Sequence, residues 1–155
     1  MVKRKLKIYL DTTIPNFVFN PHTPDKQETV TKLFEEIDAE KFEAYISQVV
    51  IDEVEDAPEP KRSEMLKLLK GTELLAITKE CEELAEEYIV KEIIPRKNEE
   101  DALHIAIATY YEVDALVSYN FEHIVRLKTK REVPVVNMLI GGYRTPDIIT
   151  PEEVF

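Results

Sequence analysis

Short apolar runs alternate with stretches in which apolar residues recur at helical spacing along most of this chain. The short runs predict strands, because they are too short for buried helices and are bounded by polar or turn-forming residues. Strands are predicted at residues 6–10, 42–47, 74–77, 115–118 and 133–136. Strands that alternate with helices form βαβ units, which pair in parallel and place helices on both faces of the sheet. The pattern therefore predicts an α/β fold.

The intervening segments carry signals for helix starts and ends. Ser47 is expected to cap a helix that carries Glu53. Gly71 is expected to close a later helix in a left-handed turn. Asn98 is expected to cap the helix that contains residues 102–108, which are apolar nearly all round and are therefore expected to be buried.

The length of 155 residues and the hydrophobic content of 44% fit one domain with a substantial core. We expect a single domain over residues 1–155, with a core of about 6–137 and a C-terminal tail, 138–155, that packs on the domain or helps a dimer to form. There is no apolar run of the roughly 18 residues that a membrane span needs, and no signal-peptide pattern. A cytoplasmic protein is expected.

Polar side chains mark the ends of two predicted strands and the starts of two predicted helices. Asp11 ends the first strand, and Asn120 follows the fourth. Glu53 and Asp101 lie in the first turns of their helices. Ligands of open α/β sheets bind beyond the carboxyl ends of the strands, so these four residues are expected at one edge. Each also has a plainer explanation as a helix cap, a turn residue or an exposed acid.

The chemistry of these side chains indicates a metal site. Several oxygen donors without His or Cys at ligand spacing suit Mg²⁺ or Mn²⁺ better than zinc. Such an ion lowers the pKa of a water that can attack a phosphodiester and stabilises the developing negative charge. The net charge of −11 opposes nucleic-acid binding, although carboxylates gathered to bind cations would account for part of it. The sequence thus favours a metal-dependent nuclease.

Four short segments, in this order, resemble the motifs of the PIN-domain family. They are residues 9–13, 50–54, 101–106 and 114–121, and the resemblance spans roughly residues 6–137. It implies a three-layer α/β/α sandwich around a parallel sheet of about five strands, and an Mg²⁺- or Mn²⁺-dependent endoribonuclease that acts on RNA. It also implies frequent homodimers. Many relatives of this size are toxins of toxin–antitoxin pairs, so an antitoxin protein is an expected partner.

The resemblance also implies roles for individual residues. Asp11, Glu53 and Asp101 would be metal ligands, and the Thr13 hydroxyl would help to order the site. The chain departs from the common pattern at Asn120, where an aspartate is usual. An amide keeps a carbonyl oxygen but adds no charge, so Asn120 would bind water or substrate and weaken any second metal site.

Three further residues lie near these motifs. Asp114, the nearest other acid, is expected to be a turn residue before the fourth strand. His104 follows Asp101 by three residues and is expected to be buried and hydrogen-bonded rather than a ligand. His123 follows Asn120 by three residues and could orient it or contact a phosphate.

The basic stretch after the fourth strand is a candidate RNA-binding surface. We expect its side chains to carry part of the phosphate contacts, with a solvated loop as the equal alternative. The residues are Arg126, Lys128, Lys130 and Arg131.

Two other functions compete with a ribonuclease. One is a PIN-fold module that has lost catalysis and binds another protein, as Asn120 and the charge of −11 would allow. The other is a phosphatase with Asp11 as its nucleophile. It ranks third, because Thr13 stands where such enzymes carry a second aspartate.

Overall fold

The computed structural model describes residues 4–155. The strands are β1 (Leu6–Leu10), β2 (Phe42–Ser47), β3 (Glu73–Leu75), β4 (Ala115–Val117) and β5 (Asp147–Ile149). The helices are α1 (Thr13–Phe17), α2 (Pro24–Asp38), α3 (Gln48–Glu55), α4 (Lys61–Leu68), α5 (Lys79–Val90), α6 (Glu99–Tyr110) and α7 (Leu127–Gly141). Short 3-10 turns follow at Leu69–Gly71, Arg96–Asn98 and Pro151–Val154.

All five strands form one parallel sheet in the order β3-β2-β1-β4-β5. The central strand β1 lies between β2 and β4, and Leu10 of β1 is paired with Val117 of β4. The residues that follow this pair therefore leave the sheet side by side. This register decides which polar side chains meet at the carboxyl edge.

Side chains alternate between the two faces of the sheet, as the pleat of a strand requires. Ile8 and Leu10 of β1 pack in one apolar cluster with Val117 of β4. Tyr9 and Leu116, on the alternate positions, pack in the other. Helices α1 to α4 cover the first face and α5 to α7 the second. The three-layer α/β/α architecture predicted from the sequence is confirmed.

Helix α6 carries buried side chains on almost every side, which confirms the prediction for residues 102–108. Ser47 also caps α3 as predicted, because its hydroxyl accepts the backbone N–H of Val49 at 3.2 Å. Asn98 stands at the N-cap of α6, but its side chain makes no capping hydrogen bond. Gly71 ends a 3-10 turn without a positive φ, so the expected left-handed turn is wrong.

The strand predicted at residues 133–136 is wrong, because these residues lie within α7. The buried positions of α7 are Thr129, Val133, Val136 and Asn137, which recur at the helical spacing of three to four. A short run of valines around Pro134 resembles a strand locally, and only the longer period reveals the helix.

The fifth strand instead lies in the C-terminal segment 138–155, beyond the expected core boundary at residue 137. Ile148 of β5 is 5% exposed, and β5 pairs with β4. The hydroxyl of Tyr119 donates to Glu152 at 2.5 Å, so the segment packs on the domain. Its strand is part of the sheet itself.

Asp114 holds the turn before β4, as expected. Its carboxylate accepts the backbone N–H of Lys7 at 2.8 Å and two hydrogen bonds from the Arg4 guanidinium at 2.9 and 3.0 Å. These bonds join the start of β1 to the start of β4.

In the part of the chain that the structure describes, no helix is both long and apolar enough to cross a membrane.

Replacing Ile148 by alanine is expected to lower the free energy of unfolding by about 2–5 kcal/mol, as for other buried isoleucines. Leu127→Ala is the control, because Leu127 is 69% exposed at the start of α7. It should change stability by no more than about 0.5 kcal/mol. Urea denaturation measures both. Equal losses from the two variants would contradict the place of β5 in the core.

Candidate active site

Asp11 lies directly after β1, and its carboxylate is buried, with the residue 2% exposed. One oxygen, Oδ1, accepts the backbone N–H of Thr13 at 3.1 Å and the Thr13 hydroxyl at 2.5 Å. The other, Oδ2, accepts the Ser118 hydroxyl at 2.5 Å. Ser118 follows Val117, the residue paired with Leu10, so the register of β1 and β4 brings this donor to Asp11. The carboxylate is therefore held rigidly.

Helix α3, which begins at the Ser47 cap, places Glu53 at the same edge of the sheet. Its Oε1 accepts the Thr12 hydroxyl at 2.8 Å and lies 3.0 Å from Nε2 of His104. The Glu53 side chain is 39% exposed. Because Thr12 directly follows Asp11, the first and second predicted ligands are joined through neighbouring residues.

Asp101 is the third residue of α6, and its Oδ2 lies 2.9 Å from Nδ1 of His123. His123 is buried and also donates its backbone N–H to Oδ1 of Asn120 at 3.0 Å. Asn120 in turn donates its backbone N–H to the Ser118 hydroxyl at 2.8 Å. A continuous chain of hydrogen bonds therefore leads from Asp101 to the Ser118 side chain, which bonds to Asp11.

The acidic cluster is defined here as Asp11, Glu53 and Asp101, and the imidazole of His104 contacts Glu53 of this cluster. His104 is 2% exposed, and its Nδ1 lies 2.8 Å from the Tyr9 hydroxyl. Burial lowers the pKa of His104, but the Glu53 hydrogen bond and the negative charges of the cluster raise it further, with a net increase. All three carboxylates therefore act electrostatically on one imidazole.

The pKa values of Asp11 and Glu53, two of the carboxylates that act on His104, are shifted in opposite directions. Burial raises the pKa of Asp11 despite the opposing charge of His104 and the hydrogen bonds from Ser118 and Thr13. Burial also acts to raise the pKa of Glu53, but the hydrogen bonds from His104 and Thr12 and the charge of His104 outweigh it, so the pKa is lowered. The contact between Glu53 and His104 therefore favours the charged form of both partners, whereas burial disfavours the charged form of Asp11.

The donor chemistry of the cluster fits a hard divalent cation. Such an ion would stabilise the charged form of the buried Asp11 carboxylate. Among the described residues, no hydrogen bond engages Oε2 of Glu53 or Oδ1 of Asp101. Within residues 4–155, however, no three His, Cys, Asp or Glu side chains are placed to hold one ion together. The side chains satisfy one another through hydroxyls and imidazoles.

The predicted RNA-binding residues divide into two pairs. Arg126 donates to the Ile93 carbonyl and to the Thr129 hydroxyl, and Lys128 donates to the Glu92 carbonyl at 2.8 Å. Lys130 and Arg131 are exposed on α7. The first pair therefore supports the backbone at the end of α5, and the second is accessible.

Sequence reasoning did not single out Thr12, Ser118 or Tyr9 as parts of the site. The first two carry a recognisable signal, because Ser118 is a hydroxyl directly beyond an apolar strand and Thr12 follows Asp11 at the end of another. Tyr9 carries none: it alternates with Ile8 and Leu10 as a buried residue, and only the packing of α6 brings His104 to its hydroxyl.

Tyr9→Phe is expected to lower the free energy of unfolding by about 1–3 kcal/mol, because it removes a buried partner of both Ser47 and His104. Tyr111→Phe is the control. Its hydroxyl donates to the Ala76 carbonyl at 2.6 Å near the surface, where water can replace it, so a loss below about 1 kcal/mol is expected. Chemical denaturation of the two variants gives the comparison, and indistinguishable losses would mean that the Tyr9 hydroxyl does not support His104.

The fold of this chain is similar to that of two solved proteins. VapBC2 of Rickettsia felis, solved with a DNA fragment from its promoter, has a chain with 20% identity and a TM-score of 0.59, covering 94% of this chain and 98% of its own. VapC20 of Mycobacterium tuberculosis, a toxin that cleaves the sarcin-ricin loop, has 17% identity and a TM-score of 0.54, covering 74% of this chain and 89% of its own. No curated protein sequence matches significantly. The model of the PIN domain matches residues 8–128, and the chain therefore belongs to the PIN-domain family.

Proposed function

We propose that this protein is a divalent-metal-dependent endoribonuclease that hydrolyses RNA phosphodiester bonds at the acidic cluster. One observation carries the proposal: Asp11, Glu53 and Asp101 reach one edge of the sheet from β1, α3 and α6 and are joined there through hydrogen-bonded hydroxyl and imidazole side chains. Like charges gathered in one place repel each other and lower stability, and a local cost of this kind is expected at a functional site.

Each residue has a distinct part in the proposed site. Asp11, Glu53 and Asp101 would hold Mg²⁺ or Mn²⁺, and Thr13 fixes the Asp11 carboxylate through its hydroxyl. When bound, the cation supplies a water of lowered pKa and stabilises the negative charge that develops on the phosphate. Asn120 would complete the site as a neutral residue: its amide oxygen accepts the backbone N–H of His123, and its amide nitrogen can donate to a water or to the RNA.

The two histidines position carboxylates in this proposal rather than act on the substrate. His104 bonds Oε1 of Glu53, and among the described residues Oε2 takes no hydrogen bond, so this oxygen is the one that would bind the cation. His123 bonds one oxygen of Asp101 in the same way. Each acidic side chain is thereby held in one orientation, as a preorganised site requires.

The wider role we propose is that of the toxin in a toxin–antitoxin pair, acting on cellular RNA in the cytoplasm and held inactive by an antitoxin protein. The similarity to two VapC-type structures supports this role.

We also propose a homodimer. Large apolar side chains are exposed near the end of α7, and a second copy could cover them; they are Val135, Met138, Leu139 and Ile140.

Lys130 and Arg131 are the accessible candidates for phosphate contacts, ahead of Arg126 and Lys128.

Asp11→Asn and Asp101→Asn are each expected to reduce Mn²⁺-dependent cleavage of single-stranded RNA by on the order of 100-fold or more, because each removes a charge that would hold the cation. Asp52→Asn is the matched control. It removes the charge of an exposed acid beside Glu53 whose carboxylate accepts a hydrogen bond from Gln48, outside the cluster, and it should cleave as the wild type does. Circular dichroism verifies the fold of each variant. Full activity in both cluster variants would refute the site.

Calorimetric titration with Mn²⁺ separates an enzyme from a PIN-fold module that only binds protein. The wild type is expected to bind Mn²⁺, and Asp11→Asn to bind it at least about 10-fold more weakly, since an anionic ligand is lost. Asn120→Asp should bind it more tightly, because it adds a carboxylate and can keep the hydrogen bond from His123. No heat of binding in the wild type would favour the binding module.

A further inference from the structure

We propose that Phe121 and Lys26 form a stacking site for one base of single-stranded RNA beside the acidic cluster, with the base on the Phe121 ring and the adjoining phosphate at the Lys26 ammonium. This inference rests on the proposed ribonuclease function and deepens it. It assigns the substrate a conformation, because a base can stack on a protein ring only when it is free of a duplex.

Three aromatic rings lie next to the site residues. Phe17, Tyr119 and Phe121 form a row in which the ring centroids are 4.6 Å apart for the first pair and 6.2 Å for the second. The rings are tilted by 47° and 43° respectively. Tyr119 and Phe121 directly flank Asn120 in the sequence, so two of the three rings adjoin a residue of the proposed site.

The row is anchored at its middle ring. Tyr119 is 4% exposed, and its backbone N–H donates to the Thr13 hydroxyl at 2.9 Å. That hydroxyl bonds Asp11. At the other end of the ring, the Tyr119 hydroxyl donates to Glu152 at 2.5 Å. The position of the row is therefore coupled to the proposed metal ligand.

Phe121 differs from the other two rings because it is 50% exposed. A single exposed phenylalanine needs no functional explanation. Here, however, the exposed ring shares a cation with its two neighbours and adjoins a cluster that would act on RNA. Every nucleobase offers a flat face that can stack on such a ring, independently of sequence.

Lys26 supplies the cation. Its Nζ lies 4.9 Å from the centroid of Phe121, 5.0 Å from that of Tyr119 and 5.6 Å from that of Phe17. In the part of the chain that the structure describes, Lys26 makes no ion pair with a carboxylate. Its charge is thus available to a phosphate. On a chain of net charge −11, a local cation is needed where a polyanion approaches.

The test uses a short single-stranded RNA that contains 2-aminopurine, whose fluorescence is quenched when the base stacks. Binding is measured in the Asp11→Asn background to prevent cleavage. Phe121→Leu is expected to bind about 5- to 100-fold more weakly and to lose quenching, because leucine keeps the apolar contact but removes the flat face. Phe121→Trp should restore both. Lys26→Gln should lower the salt dependence of binding by about one phosphate contact.

Phe155→Leu is the matched control, because Phe155 is 48% exposed and has Lys32 at 4.4 Å from its ring. It belongs to no aromatic pair among the described residues. This variant should bind RNA as the parent does.

In the catalytically intact protein, Phe121→Leu should raise KM more than it lowers kcat.

Two results would overturn the stacking site. The first is unchanged affinity and quenching in Phe121→Leu. The second is unchanged RNA binding with loss of self-association on gel filtration, which would assign the surface to a second copy of the chain. The proposed function fails separately: if the wild type does not cleave RNA but its RNA binding depends on Phe121, the stacking site is supported and the ribonuclease is refuted.

Discussion

The burial of the Asp11 carboxylate between two central strands is the constraint on which the site depends. A buried carboxylate needs several donors, and here they come from Thr13 at the start of α1 and from Ser118 directly after β4. Ser118 can reach it only because Leu10 and Val117 are in register. A shift of one residue would turn every side chain of β4 to the other face and remove this donor.

The same hydrogen bonds extend outward from Asp11 and organise the rest of the edge. Ser118 accepts from Asn120, Asn120 accepts from His123, and His123 bonds Asp101. On the other side, Thr12 and His104 hold Glu53. The three carboxylates are thus kept close by polar side chains placed between them, which is costly for the folded chain and is the cost expected of a functional site.

The local distribution of charge resolves the apparent conflict between an acidic chain and an RNA substrate. The net charge of −11 gives no general attraction for a polyanion. The cluster would be neutralised in part by a cation, and the Lys26 ammonium, Lys130 and Arg131 are accessible positive charges outside it. Recognition in this proposal therefore depends on where a few charges lie rather than on their sum.

The sequence by itself determined the architecture and the position of the main acidic residues along it. β1, β2 and α6 could be predicted because their patterns are local: an apolar run that stops at Asp11, a run that stops at Ser47, and a helix that is apolar nearly all round. The placement of Asp11, Glu53 and Asp101 at one edge was predictable from parallel topology, since the ends of parallel strands lie together.

Only the tertiary structure decided the fifth strand and the partners of each polar group. Residues 133–136 and 147–149 are both short and apolar enough for a strand, and pairing with β4 selects the second, while α7 buries Val133 and Val136 on its helical face. The bonds from His104 to Glu53 and Tyr9, and from His123 to Asp101, join residues between 22 and 95 positions apart. Such contacts are set by how helices pack across the sheet, because no local pattern in one sequence records which distant side chain will fill a given hydrogen bond.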